Sequence, residues 1–557
     1  MKNRASQLKS VVLLTVAVLC SLNFNLSAAA QNEARRARTV ESPTPTLKPA
    51  VSPTTTPTPA ATPIQVQTVA DLQTKIHAIL ARSELRRGSV GVKIVSLDTN
   101  AAIFEENAEK YFMPASNMKS YTVAAAMERL SPDFRFATSV YAASMPDANG
   151  TIRGDLTVLG RGDISFSTAF YDGDHYKGLN ALADKIVQAG VKRIEGNLIG
   201  DESYFTGSAI PGSWEWDDLQ WYYGAEVSAL PVNDNAIDLN IKPGAAVNSP
   251  CSIQILPANT VMKIINRCVT AAAGTKREIQ IFKKLDQNIL EISGAIALQD
   301  EGYKRYIAVT RPAQLFVEML RGLLMQKGVV ITGQNKVINA NEKALSTANT
   351  TAPPVEITKL ESPPFSLVAA KTMKPSQNTY TETILWTLGE QIGRPQESAL
   401  ATDENSIKKI RQMSSADLGV KIVQKFLSDI GIAPDSVIQW DGSGLSRHNL
   451  ITPASAVALY TYMGKSRYAN AWRDSLTIAA TDGTLQNRFK GTKAAANARG
   501  KTGTIDQVSA LSGYVTTASG ERLVFSILVN GVNDVRLRQA VIDEIVVALA
   551  NFNGKTN

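Results

Sequence analysis

"NARGKTGT", residues 497–504, can be read in two ways that lead to two different folds. Gly500-Lys501-Thr502 has the tail of a phosphate-cradling loop, G-x-x-x-x-G-K-[ST], which sits between a strand and a helix in nucleotide enzymes. Lys501-Thr502-Gly503 is also the last of three short motifs, Ser-x-x-Lys, Ser-x-Asn and Lys-Thr-Gly, that together build an active-serine site. The phosphate loop requires glycine at position 495, which is Ala495. The stretch also stands directly before two strand-like runs, "QVSALSGYVTT" and "RLVFSILVNG". Their β-branched and aromatic content predicts consecutive strands.

The start of the chain bears on compartment. Lys2, Arg4 and Lys9 precede the apolar run Val11–Cys20, and "LSAAA" supplies small residues before Gln31. That order is the one of a secretory signal over residues 1–30, and it places the protein in an extracytoplasmic, periplasmic or cell-envelope setting. Asn23 and Asn25 interrupt the apolar extension, so no integral span is expected once the signal is cleaved. Net charge is +8 for the full chain and +5 without the three signal cations. A bias of that size on 557 residues gives no footprint for nucleic acid.

Residues 31–68 form a linker, and "TVESPTPTLKPAVSPTTTPTPAATP" within it is too poor in large apolar side chains to build a core. Folded sequence starts near Val69, where Leu72, Ile76, Ile79 and Leu80 make a helical stripe. Val90, Val92 and Ile94 alternate as a strand, with "DTN" at 98–100 as a hairpin turn. At the other end Asp534 is placed to cap a helix through Val541, Ile545, Val546 and Leu549. Helix and strands at one terminus, strands and helix at the other, predict an α/β (α+β) domain with one antiparallel sheet drawn from both ends, 69–135 and 346–557. Residues 136–345, rich in short strands and turns, are expected to be a large, mainly-β insertion. Cys251 and Cys268, the two cysteines outside the signal, are expected to pair in an oxidising compartment.

Ser-x-x-Lys occurs at Ser6, at Ser406 and at Ser116. Only "FMPASNMKSYTVAAAMERL" has Pro114 ahead of it and an alanine-rich helix after it, which puts Ser116 in the first turn. Residues three apart share a helix face, so Lys119 falls beside the Ser116 hydroxyl. A serine needs a group to take its proton, and a desolvated lysine near other cations can do it. The alternatives are few: His77, His175 and His448 are scattered, no Gly-x-Ser-x-Gly elbow exists, and no cysteine or histidine cluster could hold a metal. Ser376-Gln377-Asn378 then supplies a hydroxyl and a carboxamide, and Lys501-Thr502-Gly503 closes the set. In a strand, Lys501 and Thr502 point opposite ways, and Gly503 leaves clearance for a substrate backbone along the edge.

With these motifs in this order, the chain resembles the class C low-molecular-mass penicillin-binding proteins, the D-alanyl-D-alanine carboxypeptidases/endopeptidases. "GDLTVLGRGD" (154–163), "GNLIGDESYF" (196–205), "SALPVNDNAIDL" (228–239), "DGSGLSRHNLITP" (441–453), "DGTLQNRF" (482–489) and "LSGYVTTASG" (511–520) also look like that family. The resemblance implies a penicillin-binding-protein/β-lactamase-like transpeptidase domain whose Ser116–Ser376 interval holds inserted domains. It implies Ser116 as acylated nucleophile, Lys119 as its base, Ser376 and Asn378 as proton relay and peptide anchor, and Lys501 as charge. Thr502, Gly503 and Thr504 would line the bound peptide, with the Ser116 and Thr504 amides as oxyanion hole. Arg447 and Asp201 would face the diamino-acid side chain of the stem peptide. Asp506 stands where that family commonly has a polar uncharged residue, which leaves the substrate terminus open. The partners implied are peptidoglycan stem peptides and, as covalent inhibitors, β-lactams, with no cofactor. A β-lactamase would need a dedicated deacylation base, and none can be nominated. A non-catalytic wall-binding module would have no use for a full set of competent residues.

Overall fold

The computed structural model describes residues 66–346 and 353–556, so the expected signal and all but the end of the linker lie outside the described residues. The residues from Gln67 on form one compact unit, and all that follows concerns it.

It begins with helix α1, Val69–Leu80, opened by a capping box in which Thr68 and Asp71 satisfy each other's backbone N–H. Strand β1, Ser89–Ser96, and β2, Ala102–Glu106, form the expected hairpin, with Asn100 at positive φ in its turn. From the C-terminal half come β3, Thr477–Ile478; β4, Arg499–Ile505; β5, Val508–Thr516; and β6, Arg522–Asn530. The six make one antiparallel sheet in the order β3-β4-β5-β6-β1-β2. The two chain ends therefore meet along the β1–β6 ladder, where Ser89 faces Asn530 and Ser96 faces Leu523.

Period-two alternation sends β6 side chains to two cores. Leu523, Phe525, Ile527 and Val529 join Leu72, Ile76, Ile542 and Ile545 under α1 and the C-terminal helix, Val535–Asn551, which Asp534 caps. Val524 and Leu528 face the opposite layer. That layer contains α2, Met118–Leu130, and α3, Asn378–Leu388, with the helices Phe365–Met373, Ser415–Asp429 and Pro453–Lys465. α2 is buried along ten consecutive residues, Met118 to Met127, which its alanines make room for.

The inserted region has its own core, drawn from residues between Val140 and Ile357. Its main sheet runs Asn335–Ile338, Leu198–Asp201, Leu156–Leu159, Ala137–Ala142, Val355–Glu361, the first three parallel. It is less exclusively β than expected: the amphipathic helices Lys177–Gln188 and Pro312–Gln326 cover the sheet. Because Val355–Glu361 pairs with Ala137–Ala142, we propose that the insertion ends after Glu361 rather than at 345. Cys251 and Cys268 are bonded there, Cα to Cα 5.3 Å, across the start of Ser252–Leu256 and the strand Lys263–Ala271.

Candidate active site

Ser116 lies in a single 3-10 turn, Ala115–Asn117, that leads into α2. Ala115 is left-handed, with φ 46°. Gly444 presses against the Ala115 carbonyl so closely that a Cβ there would come within 1.9 Å of its oxygen. Ser376 is also left-handed, with φ 66°, just before α3. Non-glycine residues in this region cost about 1–3 kcal/mol each and persist where the surroundings over-determine them. Here both carry, or adjoin, a predicted reactive hydroxyl.

The Lys119 side chain is wholly buried. Its Nζ is 3.0 Å from Ser116 Oγ, 2.6 Å from Asn378 Oδ1 and 2.7 Å from the Ser443 carbonyl oxygen. Asn378 Nδ2 donates to the Tyr223 carbonyl, which fixes the amide with its oxygen toward Lys119. A neutral amine has two N–H bonds and one lone pair. The Asn378 and Ser443 oxygens can only accept, so they take the two protons. Of these three partners only the Ser116 hydroxyl can also donate, so in the neutral amine the lone pair would face it.

Lys501 is buried as completely, and its Nζ donates to Ser376 Oγ at 2.8 Å and to the Thr502 carbonyl at 2.9 Å. The two lysines thus each hold one serine. Thr502 points away, its Oγ1 2.7 Å from Thr484 Oγ1, and Lys374 pairs with Asp482, which ties the Ser376 loop to the same turn. β4 is paired with β5 along its length, but β3 covers only Arg499 and Gly500 on the other side. Among the described residues, Lys501–Ile505 therefore has an edge without a strand partner, the place where an extended peptide could add.

Gly503 has a different neighbour from the one expected. A Cβ there would lie 2.3 Å from the Pro114 carbonyl oxygen and 3.2 Å from both Ala115 Cβ and the Asn117 amide. The clearance admits the serine turn itself onto β4. Asn117 Nδ2 clamps that approach with a hydrogen bond to the Lys501 carbonyl at 2.9 Å. Thr504 follows on the strand, its Oγ1 donating to the Gly503 carbonyl.

Arg447 and Asp201 are not brought together by any contact among the described residues. Arg447 reaches the end of β4: it donates to the Asp506 carbonyl at 3.1 Å, with its guanidinium 2.9 Å from Glu215 and 3.8 Å from the Asp506 carboxylate. Asp201 is buried in the insertion, where it accepts from the Ser203 amide and pairs with Lys343 at 2.7 Å. Phe205, four residues on, packs edge-on against Trp386 of α3. The histidines are dispersed: His77 against Phe104, His175 near Asp238, and His448 against Trp440.

Sequence reasoning missed the support beneath Lys119. Asp441 accepts from the Gly444 and Ser446 amides, Trp214 Nε1 and Asn449 Nδ2, and so shapes the 441–449 loop. Glu382, wholly buried on α3, accepts from the Ser443 amide at 2.7 Å and the Gly442 amide at 3.0 Å. Burial, and then the Asp441 charge, push its carboxyl well above the usual range, against the pull of the Ser443 hydroxyl and those amide donors. A lone acid in "NTYTETILWTL", one helical turn past Asn378, was the available signal.

Residues 72–552 match the family model of the D-Ala-D-Ala carboxypeptidase 3 (S13) family. A D-alanyl-D-alanine carboxypeptidase of Actinomadura sp. (strain R39) is 30% identical over 501 residues, covering 87% of this chain and 86% of the relative. The crystal structure of penicillin binding protein 4 from Haemophilus influenzae superposes with a TM-score of 0.69 at 22% identity, over 88% of this chain and all of that one. The same protein complexed with a β-lactam gives a TM-score of 0.63 at 21% identity, over 86% of this chain and 99% of that one. These matches bear out the expected penicillin-binding-protein/β-lactamase-like fold.

Proposed function

This chain belongs to the D-Ala-D-Ala carboxypeptidase 3 (S13) family of serine peptidases, and from that premise we propose that it is an exported DD-peptidase working through an acyl-enzyme on Ser116. The observation that carries the reading is the Lys119 amine, buried and 3.0 Å from Ser116 Oγ, with two carbonyl oxygens to hold its protons.

In the first step Lys119, as the neutral amine, takes the Ser116 proton while Oγ attacks the carbonyl carbon of the bond after D-alanine. The carbonyl oxygen becomes an oxyanion, received by the Ser116 and Thr504 amides. Collapse breaks the C–N bond. The proton that Lys119 took from Ser116 passes through Ser376, whose Oγ rests on Lys501 Nζ, to the leaving amine, and Lys119 is neutral again. The products are a free amine and a Ser116 ester. Water then attacks the ester, its proton passing to Lys119 and from there to the departing Ser116 oxygen, which releases the peptide acid and restores the serine. A stem peptide lying along the open edge of Lys501–Ile505 would bring its carbonyl to this point, and Asn378 would hold the peptide.

A β-lactam ring presents the same amide, and its opening leaves the amine tethered to the acyl group. Slow deacylation then traps Ser116. The reading extends to release of terminal D-alanine, cleavage of the D-alanyl–diaminoacyl cross-link, or both. Arg447, held between Glu215 and Asp506 beyond Thr504, is the residue we assign to the diamino-acid end; Asp201, already paired with Lys343, would have to exchange that partner to take part. The extracytoplasmic location rests on the N-terminal pattern of residues 1–30.

Labelled penicillin tests the reading directly. It is expected to mark the unaltered protein and not Ser116→Ala; equal labelling of both refutes the assignment. Product analysis on monomeric and cross-linked muropeptides then divides carboxypeptidase from endopeptidase action.

A further inference from the structure

Two adjacent backbone amides, Gly442 and Ser443, point into the buried layer at α3, and each is met by one oxygen of Glu382. The same backbone segment also presents the Ser443 carbonyl to Lys119 Nζ at 2.7 Å, while the Gly442 carbonyl accepts from Thr122 on α2 at 2.9 Å. Glu382 follows Asn378 by four positions on α3, hence on the same face one turn along. One rigid helix therefore supplies one acceptor for the lysine through Asn378 and holds the other in place through Glu382.

Resting on the function proposed above, we propose that Glu382 is a positioning residue for acylation: it fixes the Gly442–Ser443 peptide so that the Ser443 carbonyl aligns the Lys119 amine with its lone pair toward Ser116. The residue type is informative. Both oxygens of the Glu382 carboxyl can accept from an amide, the hydroxyl oxygen included when burial keeps the acid protonated, whereas glutamine would turn an NH2 group against one of the two amides. A second buried carboxylate, Asp441, lies on the same loop and makes the acid at 382 more costly. An acid kept at such a place fits a requirement for holding both amides, which packing alone does not impose. The chain of contacts runs Glu382 to the Ser443 amide, the Ser443 carbonyl to Lys119, and Lys119 to Ser116, each 2.7 to 3.0 Å long.

The test is stopped-flow acylation of the full chain by a fluorescent penicillin, separating the acylation rate constant from the non-covalent dissociation constant. Glu382→Gln is expected to lower the rate constant at least tenfold, about 1.4 kcal/mol, with the dissociation constant changed by less than about twofold. Val423→Ala, a fully buried position on the helix Ser415–Asp429 in the same layer, serves as the stability control and is expected to lower Tm without changing the rate constant. The inference is overturned if Glu382→Gln acylates within about twofold of the unaltered protein, or if Val423→Ala at a matched Tm loses the rate as well. Should Glu382→Gln fail to fold, Glu382→Asp, which keeps both acceptors one methylene short, is read by the same criteria. Unaltered protein that penicillin does not label would refute the proposed function and this inference together, whereas labelled protein with an unimpaired Glu382 variant refutes only this inference.

Discussion

Gly503→Ala separates two physical accounts of the Lys-Thr-Gly strand. If the glycine clears the substrate, a methyl group should weaken binding and leave the chemical step alone. The structure instead directs that methyl into the turn that carries the nucleophile, 2.3 Å from the Pro114 oxygen. That is about 0.7 Å inside the 3.0 Å that real Cβ contacts respect, and the obstacle is backbone, which cannot rotate away. Either β4 or the Pro114–Asn117 turn must retreat by a distance of that order, stretching the Asn117–Lys501 hydrogen bond of 2.9 Å and moving Ser116 from Lys119. Misplacement of about 1 Å at a reacting centre can cost about a hundredfold in rate, and overpacking of this kind costs about 1–3 kcal/mol in stability. The expected result in stopped-flow penicillin acylation is a rate constant lower by about ten- to a hundredfold, a dissociation constant within about threefold, and a lower Tm. A variant whose rate constant is unchanged while its dissociation constant rises would refute the reasoning and restore the substrate-clearance account.

Two further outcomes are expected. Asp163 is wholly buried, its Oδ1 accepting from the Ser165 amide and hydroxyl, its Oδ2 with no hydrogen-bond partner among the described residues, and burial pushes its carboxyl from 3.8 up to about 6. The folded state therefore holds a proton that the unfolded state releases between these values, so the associated stability is present below pH 3.8 and lost as pH rises through about 6. Asp163→Asn does not titrate, and its stability relative to the unaltered protein should climb between pH 4.5 and 7.5 by about 2 kcal/mol, with Tm following; a pH-independent difference would contradict this. Asp506→Asn removes one of the two carboxylates flanking Arg447, at 3.8 Å and partly exposed. An ion pair of that kind contributes about 0.2–1 kcal/mol, so turnover of stem peptides with a free diamino-acid carboxylate should rise up to about fivefold relative to their amidated forms, and an unchanged ratio would remove Asp506 from substrate reading.

What the sequence determined by itself follows from local periodicity and from spacing along one element. The stripe of Leu72, Ile76 and Ile79, the alternation in β1, β5 and β6, and the Asp534 cap each depend on a few consecutive residues, so the two-ended sheet could be drawn before any contact was known. Ser116 and Lys119 are three positions apart on helical backbone, and their 3.0 Å meeting is likewise local. The helices Lys177–Gln188 and Pro312–Gln326 show comparable stripes, and they were hidden only by the strand-rich sequence around them. What only the tertiary structure decided are the contacts between residues hundreds of positions apart. Asn378, Ser443 and Lys501 converge on two serines because α2, α3, the 441–449 loop and β4 pack in one place. No tripeptide specifies that packing. The same holds for Gly503, whose missing side chain is filled by Pro114, 389 positions earlier, for Asp201, whose carboxylate is taken up by Lys343, and for Glu382, whose two amide partners lie about sixty residues beyond it. A motif fixes which groups are available; the donors and acceptors that orient them are set by the whole fold, because a buried polar atom must find a partner wherever the packing brings one.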